Sequence, residues 1–252
     1  MSIGTAQRTT AGFGTVVATE LYRARHGPLL WLMLLSPVAL ALPMLLATAL
    51  GGDWEQWQGL ALMGWGGLLP AVTALAVGLD VRQDRDAWLF LLAAPVSRNH
   101  LVLGKAAALV VVTALGSLVL GIALCAGALL AGLALPTGPL TGVLAMWVAL
   151  FGIAGLLLLL AISFGFPVTV GAGVVGVFAG LLTADKAFWF VNPFGWPLRA
   201  MLPFGRRLVG VEIPDSSPLA ATGPVLTAML LSLALAAATT AAACVVLRRK
   251  EI

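Results

Sequence analysis

The ionisable residues of this sequence are concentrated between positions 80 and 105. The segment begins with mixed charges, continues through an apolar patch that holds Trp88 and Phe90, and breaks at Pro95. A charged, amphipathic helix with exposed aromatic residues could dock in the groove of a cytoplasmic partner protein. The same composition suits an interfacial loop that is anchored by Trp88 and its basic residues and serves only membrane topology. The charge pattern alone leaves both interpretations open.

Residues for catalysis or metal binding are sparse. The two histidines, His26 and His100, lie beside the ends of apolar runs, and the two cysteines, Cys125 and Cys244, lie within apolar runs. No HExxH, CxxC, GxSxG or P-loop sequence occurs, so metal chemistry, nucleophilic catalysis and nucleotide binding lack the residues that they need. We therefore expect no catalytic residue, metal site or cofactor in this chain.

A second group of candidate functional residues lies in a proline-rich aromatic stretch between positions 188 and 207. Its prolines preclude one continuous helix, and its aromatic residues are typical of a membrane interface. Short re-entrant helices that dip into the outer leaflet would fit this pattern. The arginines could bind lipid phosphates, an anionic ligand or the carboxylates of a partner, or they could simply extend toward the interface. The candidates are Trp196, Arg199, Arg206 and Arg207.

The elements that position these residues follow from composition. Hydrophobic residues make up 61% of the 252 residues and charged residues only 10%, against about 25% charged in soluble domains. Because a span needs about 20 apolar residues, we predict one all-α, polytopic membrane domain over residues 1–252 with six transmembrane helices. The predicted spans cover residues 28–50, 59–79, 106–133, 141–163, 168–184 and 224–247. None of these predicted spans contains a charged residue, which argues against an ion-coupled carrier.

The boundary between the fourth and fifth spans depends on one helix breaker. Residues 141–183 are almost continuously apolar, and one helix of that length would reach about 64 Å, twice the thickness of a membrane. Ser163-Phe164-Gly165-Phe166-Pro167 is the strong interruption within this run. Gly and Pro both interrupt helices, so we divide the run there.

A shorter amphipathic helix is predicted before the first span, within residues 12–27. Phe13, Val17, Leu21 and Ala24 form one apolar stripe at helical spacing. Such a helix would lie in the interface with this stripe in lipid, although a merely soluble helix or a frayed tail remains an alternative. Pro28 permits a sharp turn into the membrane.

The distribution of Lys and Arg predicts that both termini are cytoplasmic. With the N-terminus inside, ten of the 14 basic residues fall on the cytoplasmic side, and Lys186, Arg199, Arg206 and Arg207 fall outside. Short cytoplasmic loops carry the excess of Lys and Arg. The net charge of +4 is therefore expected for a bacterial-type plasma-membrane protein and does not indicate nucleic-acid binding.

Residues 80–105 also carry a resemblance to a known family. The order of a charged D-x-x-x-D-R-D start, an apolar turn, Leu-Ala-Ala-Pro-Val-Ser-Arg and then Leu-Val-Leu-Gly-Lys resembles the first cytoplasmic loop of type-2 ABC exporter permeases. The N-terminal elbow helix, the six spans and the long loop before the last span are similar to the same family. The resemblance implies that the loop is a coupling helix on a separate ATP-binding subunit, with contacts at Asp84, Arg85, Trp88, Pro95, Ser97 and Arg98. It also implies that the elbow braces this junction, with candidate residues Glu20, Arg23 and Arg25.

The resemblance further implies partners and a cargo. Two ATP-binding subunits would carry ATP and Mg²⁺, and a second permease, identical or a sister chain, would complete the path through the lipid bilayer. The proline-rich stretch with Trp-Pro-Leu-Arg looks similar to the lantibiotic-protection branch, which confers self-protection and resistance by expelling a peptide antibiotic. A hydrophobic or amphipathic cargo would suit the uncharged spans. A structural or assembly protein that recruits a cytoplasmic partner without transport is the alternative.

Overall fold

The computed structural model describes residues 12–93, 97–205, 207–208 and 211–249, with the backbone alone at 85–93, 207–208 and 211–212. Six of its helices are long and apolar enough to cross a membrane, which confirms the predicted all-α fold with six spans. The helices are α1 (Phe13–His26), α2 (Pro28–Ala49), α3 (Trp54–Ala93), α4 (Arg98–Leu130), α5 (Thr137–Ala149), α6 (Phe151–Phe164), α7 (Phe166–Thr183), α8 (Trp196–Met201) and α9 (Gly223–Arg249). Helices α5 and α6 together form the fourth span.

The predicted N-terminal helix is present as α1, but its buried face differs from the predicted stripe. Val16, Glu20 and Ala24 are the buried residues, whereas Phe13 is 45% exposed. The placement of the predicted stripe in lipid stays a prediction. The burial of Glu20 comes from its ion pair with Lys105 of α4, which a helical projection of α1 does not reveal. Gly27 then separates α1 from α2, whose first residue is Pro28.

Residues 80–105 are mostly helical, not a loop between two shorter spans. Helix α3 continues through the charged residues to Ala93, and α4 begins at Arg98. Charged residues do not themselves end a helix when they find partners, and Arg, Gln, Leu and Ala all favour helices. As a result, Asp80, Asp84 and Lys105 lie on membrane helices. The expectation that the spans are uncharged is corrected at these ends.

The fourth span is interrupted at Leu150, which the sequence analysis did not predict. Ser232 of α9 is fully buried and inserts its hydroxyl at this point. Its Oγ accepts a hydrogen bond from the Gly152 amide at 2.7 Å and donates toward the carbonyls of Ala149 (2.9 Å) and Val148 (3.1 Å). A side chain that enters the backbone hydrogen-bond ladder is a recognised cause of a kink.

The predicted division between the fourth and fifth spans is confirmed. Gly165 separates α6 from α7 with φ of 87° and ψ of −171°, a conformation that is essentially restricted to glycine. Pro167 occupies the first turn of α7, where its missing N–H costs no hydrogen bond. The break therefore comes from local sequence, unlike the one at Leu150.

Short helices connect α7 to α9, and their predicted re-entry into the membrane stays a prediction. Two 3₁₀ turns, Trp189–Val191 and Pro193–Gly195, precede α8, and a two-residue antiparallel pair, Arg207–Leu208 (β1) with Val211–Glu212 (β2), follows it. All six residues of α8 are buried, with α8 packed mainly against α5 and α9. Around these connections the bundle is held chiefly by the pairs α6–α9, α3–α7 and α2–α4.

Candidate functional site

A buried ion network lies at the end of the bundle where α3 ends and α4 begins. The Nζ atom of Lys105 is 2.6 Å from Asp84 Oδ2, 2.7 Å from Asp80 Oδ2 and 3.0 Å from Glu20 Oε2. Arg23 pairs with Glu20 at 3.2 Å and also with Asp84. The ammonium group of Lys105 and the guanidinium group of Arg23 thus connect α1, α3 and α4 through ion pairs.

Helices α1 and α3 each contribute two residues at one-turn spacing, and α4 contributes one. Asp80 and Asp84 are four residues apart on α3, and Glu20 and Arg23 are three apart on α1, so each pair shares a face. Lys105 comes from α4 one position after Gly104. A Cβ atom on Gly104 would lie only 2.8 Å from Cγ1 of Val16, so glycine at this position lets α1 approach α4 closely enough for the ion pairs to form.

The charges of the network do not balance. Among the described side chains, three carboxylates face two cations, and those of Asp84, Glu20 and Lys105 are only 1%, 6% and 11% exposed. Removing one partner of a buried ion pair typically costs about 3–5 kcal/mol because the other charge remains buried. The network therefore depends on both cations, and Lys105 contacts all three carboxylates.

A second polar connection holds the start of α4 to the end of α9. Nη1 of Arg98 donates to the carbonyl oxygens of Leu247 (3.2 Å) and Arg248 (3.0 Å). In return, Nε of Arg248 donates to Oδ1 of Asn99 at 2.8 Å. The helix that follows residues 94–96 is therefore fixed to α1 and α3 through Lys105 and to α9 through Arg98.

The predicted ATPase-subunit contacts lie in different environments. Asp84 is buried in the ion network, Ser97 is exposed at the cap of α4, and Arg98 is bonded to α9. Arg85 and Trp88 lie on α3, but their side chains fall outside the described part of the chain, as does Pro95 entirely. Contact of these residues with an ATP-binding subunit stays a prediction, and Ser97 is the described candidate that is open to a partner.

The elbow candidates also separate into two groups. Glu20 and Arg23 belong to the ion network, whereas Arg25 is exposed. Asp80 and Lys105 were not among the site residues predicted from the sequence. The signal for Asp80 was its one-turn spacing from Asp84, whereas Lys105 carried no local signal because its partners lie on α1 and α3.

The outer stretch places its predicted residues in a buried setting. Arg199 is 4% exposed. Its Nη2 donates to the Pro218 carbonyl at 2.9 Å, its guanidinium lies 5.8 Å from the centre of the Trp189 ring, and Nε and Nη1 have no hydrogen-bond partner among the described residues. Burial lowers the pKa of Arg199, and the charge of Asp185 partly offsets this effect. Arginine nevertheless remains protonated.

Trp196 is buried in the same stretch, and its Nε1 donates to the Phe190 carbonyl at 3.1 Å. Helix α8 reaches well into the bundle, since the Cα atom of Leu198 lies 3.5 Å from the Cβ position of Gly66, which is about 18 Å along α3 from its start. Arg206 lies outside the described residues, and only the backbone of Arg207 is described, in β1.

These features define a multi-pass membrane protein whose described charged residues collect near the ends of its spans. Residues 16–182 match the family described as ABC-2 family transporter protein. No curated protein and no solved structure matches the chain. Because the family match covers well over half of the sequence, the chain belongs to the ABC-2 transporter family, whose members are membrane permease subunits and are not themselves catalytic. The match includes the ion network but not the outer stretch or α9.

Proposed function

We propose that the protein is the permease of an ATP-driven exporter and that its energy enters through residues 80–105 from separate ATP-binding subunits. The observation that carries this proposal is the ion network. It joins the two helices that flank residues 94–96 to each other and to α1, so that a force applied near Ser97 acts on three helices together. Packed elements joined in this way move as rigid bodies.

The proposed transport step is a two-state change of the span bundle. ATP-driven closure of the partner dimer would push on the end of α3 and the start of α4, and the bonds from Arg98 to α9 would pass this movement to the last span. A second permease, identical or a sister chain, would supply the other wall of the path. Both termini would lie in the cytoplasm, and the even number of spans supports their lying on the same side of the membrane.

The proposed cargo is hydrophobic or amphipathic and leaves the membrane on the side of α8. The middle of every described span is free of charged residues, so a sugar or an ion would find no polar path. A lantibiotic-type peptide, with export as self-protection, fits this environment. The depth of α8 beside Gly66 supports a re-entrant arrangement, and Trp196 and Arg199 would lie where the cargo exits.

The alternative function is that of a structural or assembly protein that recruits a cytoplasmic partner without transport. The two functions differ in the ATP turnover that they predict. In the structural or assembly protein, the partner would bind near Ser97 but its ATP hydrolysis would not respond to a cargo or to the permease. Coupled ATP hydrolysis is therefore the property that separates the two functions.

The test uses the complex of this chain with candidate ATP-binding subunits, reconstituted in liposomes, with ATP hydrolysis as the readout. Ser97 makes no side-chain cap bond to α4, so Ser97→Arg removes no described interaction. We expect this variant to reduce co-purification and coupled hydrolysis by at least tenfold. The matched control is Ser216→Arg, at an exposed serine between β2 and α9, which should have no effect. Equal activity of the two variants would show that the energy does not enter near Ser97.

A further inference from the structure

An apolar groove opens on the surface of the bundle between α4, α6 and α9. Its volume is about 430 Å³, and its lining includes Leu103, Ala107, Ala237 and Cys244. Thr113, on the same wall, is already satisfied: its hydroxyl donates to the Leu109 carbonyl at 2.7 Å and accepts from Nε1 of Trp147 at 3.2 Å. The groove therefore presents a concave apolar surface that is open to lipid.

One end of this groove is basic. Cys244 lies one helical turn before Arg248 on α9, and Leu103 lies one turn after Asn99 on α4. The bond between Arg248 and Asn99 therefore lies about one turn beyond this end of the groove. Arg248 and Arg249 are both exposed. A guanidinium carries five N–H donors, and the bond to Asn99 uses one of those of Arg248. Donors at the membrane interface thus lie about 6 Å along α9 from the apolar lining.

We propose that the groove binds one acyl chain of an anionic phospholipid, with the headgroup phosphate held by Arg248 and Arg249. An acyl chain matches an apolar channel that is lined by small side chains, and basic groups at the ends of membrane helices attract anionic headgroups. On the orientation proposed above, this lipid belongs to the inner leaflet.

The basic end of the groove argues against the other occupants. A second copy of this chain, related by a twofold axis along the membrane normal, would bring the same arginines together across an isologous interface. Like charges at such an interface oppose association. A cationic membrane-active peptide would meet the same repulsion. An anionic lipid is the occupant whose charge complements the site.

The experiment measures the phospholipid retained by the purified full-length chain. The chain is taken from nanodiscs of equal phosphatidylglycerol and phosphatidylcholine, extracted in detergent and examined by native mass spectrometry. The wild type should retain one phospholipid and prefer phosphatidylglycerol. Arg248→Gln should reduce this preference about fivefold, the effect of one basic residue at a membrane surface. Arg82→Gln, at an exposed arginine beside Phe166 of α7, should leave the preference unchanged.

A second pair of variants tests the apolar part of the site. Ala237→Phe places a ring in the groove and should abolish retention of either lipid, whereas Ala238→Phe changes an exposed neighbour that does not line it and should retain the lipid. Equal retention by these two variants, or equal headgroup preference of Arg248→Gln and Arg82→Gln, would overturn the proposal. A disulfide between two copies of an Ala237→Cys variant in membranes would also overturn it, by showing a second copy in the groove. No ATP-binding subunit is present, so failure of the coupling proposal leaves this result unaffected.

Discussion

Replacing Lys105 by Met should destabilise the protein more than any exposed charge replacement. Lys105 is 11% exposed and lies within 3.0 Å of three carboxylate groups. Without its ammonium group, Glu20 and Asp84 keep Arg23 as their cationic partner among the described residues, and Asp80 loses the described ion pair that it makes. The cost of an unpaired buried charge is about 3–5 kcal/mol. For a chain of this size, that corresponds to a decrease in Tm of about 6–20 °C.

The assay is thermal unfolding of the protein in nanodiscs, followed by tryptophan fluorescence. Lys186→Met is the matched control, because Lys186 pairs with Asp185 at 2.8 Å while both side chains are about half exposed. Exposed pairs contribute about 0–1 kcal/mol, so this variant should lose at most about 4 °C.

A second substitution examines the charge balance of the network. Asp80→Asn alone leaves two carboxylates with two cations and should cost less than Lys105→Met. The same change added to Lys105→Met should recover part of the lost stability. If Lys105→Met and Lys186→Met unfold at the same temperature, or if Asp80→Asn gives no recovery in the double variant, the reasoning about the buried network is wrong.

Three further predictions concern the helix contacts, each checked by the same unfolding assay. Gly116→Ala should lower the free energy of unfolding by about 1–3 kcal/mol, because the new Cβ would lie 2.6 Å from the backbone carbonyl oxygen of Met33. Its control, Gly171→Ala, meets nothing within 4 Å and should be neutral or stabilising. Equal losses for the two variants would contradict the close approach of α2 and α4 at Gly116. Ser232→Ala should lower the free energy of unfolding by about 1–3 kcal/mol, because it removes the hydrogen-bond acceptor of the Gly152 amide. An unchanged Tm would show that the hydroxyl does not support the break at Leu150. Gly165→Ala should lower the free energy of unfolding by about 1–3 kcal/mol through backbone strain. A stability equal to that of the wild type would contradict the positive φ angle at this position.

The sequence predicted the features of this fold that depend on local composition. Six apolar runs of sufficient length indicated six spans, and Gly165 with Pro167 indicated the break between α6 and α7. Both depend on hydropathy and on the conformational preferences of nearby residues, which can be read along the chain. The N-terminal helix and the short helices before α9 followed from periodicity and from the spacing of prolines.

Features that depend on distant residues were missed. The break at Leu150 comes from Ser232, about 80 positions later in the chain, and no residue near Leu150 signals it. The continuation of α3 through Asp80 and Asp84 depends on partners supplied by α1 and α4. Charged residues in a sequence predict exposure, but their burial here is compensated by ion pairs, which only the fold brings together.

The outer stretch shows the same limitation. Its prolines and aromatic residues predicted short, interrupted helices, but they did not predict that Arg199 would be 4% exposed. The burial of that side chain results from α8 packing against α5 and α9, and its hydrogen bond goes to Pro218, which lies beyond the stretch.

The central claim, that an ATP-binding subunit engages this permease near Ser97, is tested most directly by crosslinking. A photoreactive amino acid placed at Ser97 should give an adduct with the ATP-binding subunit in membranes that contain both proteins. The same group at the exposed Ser216 should give none. An adduct from Ser216 with none from Ser97 would contradict the claim.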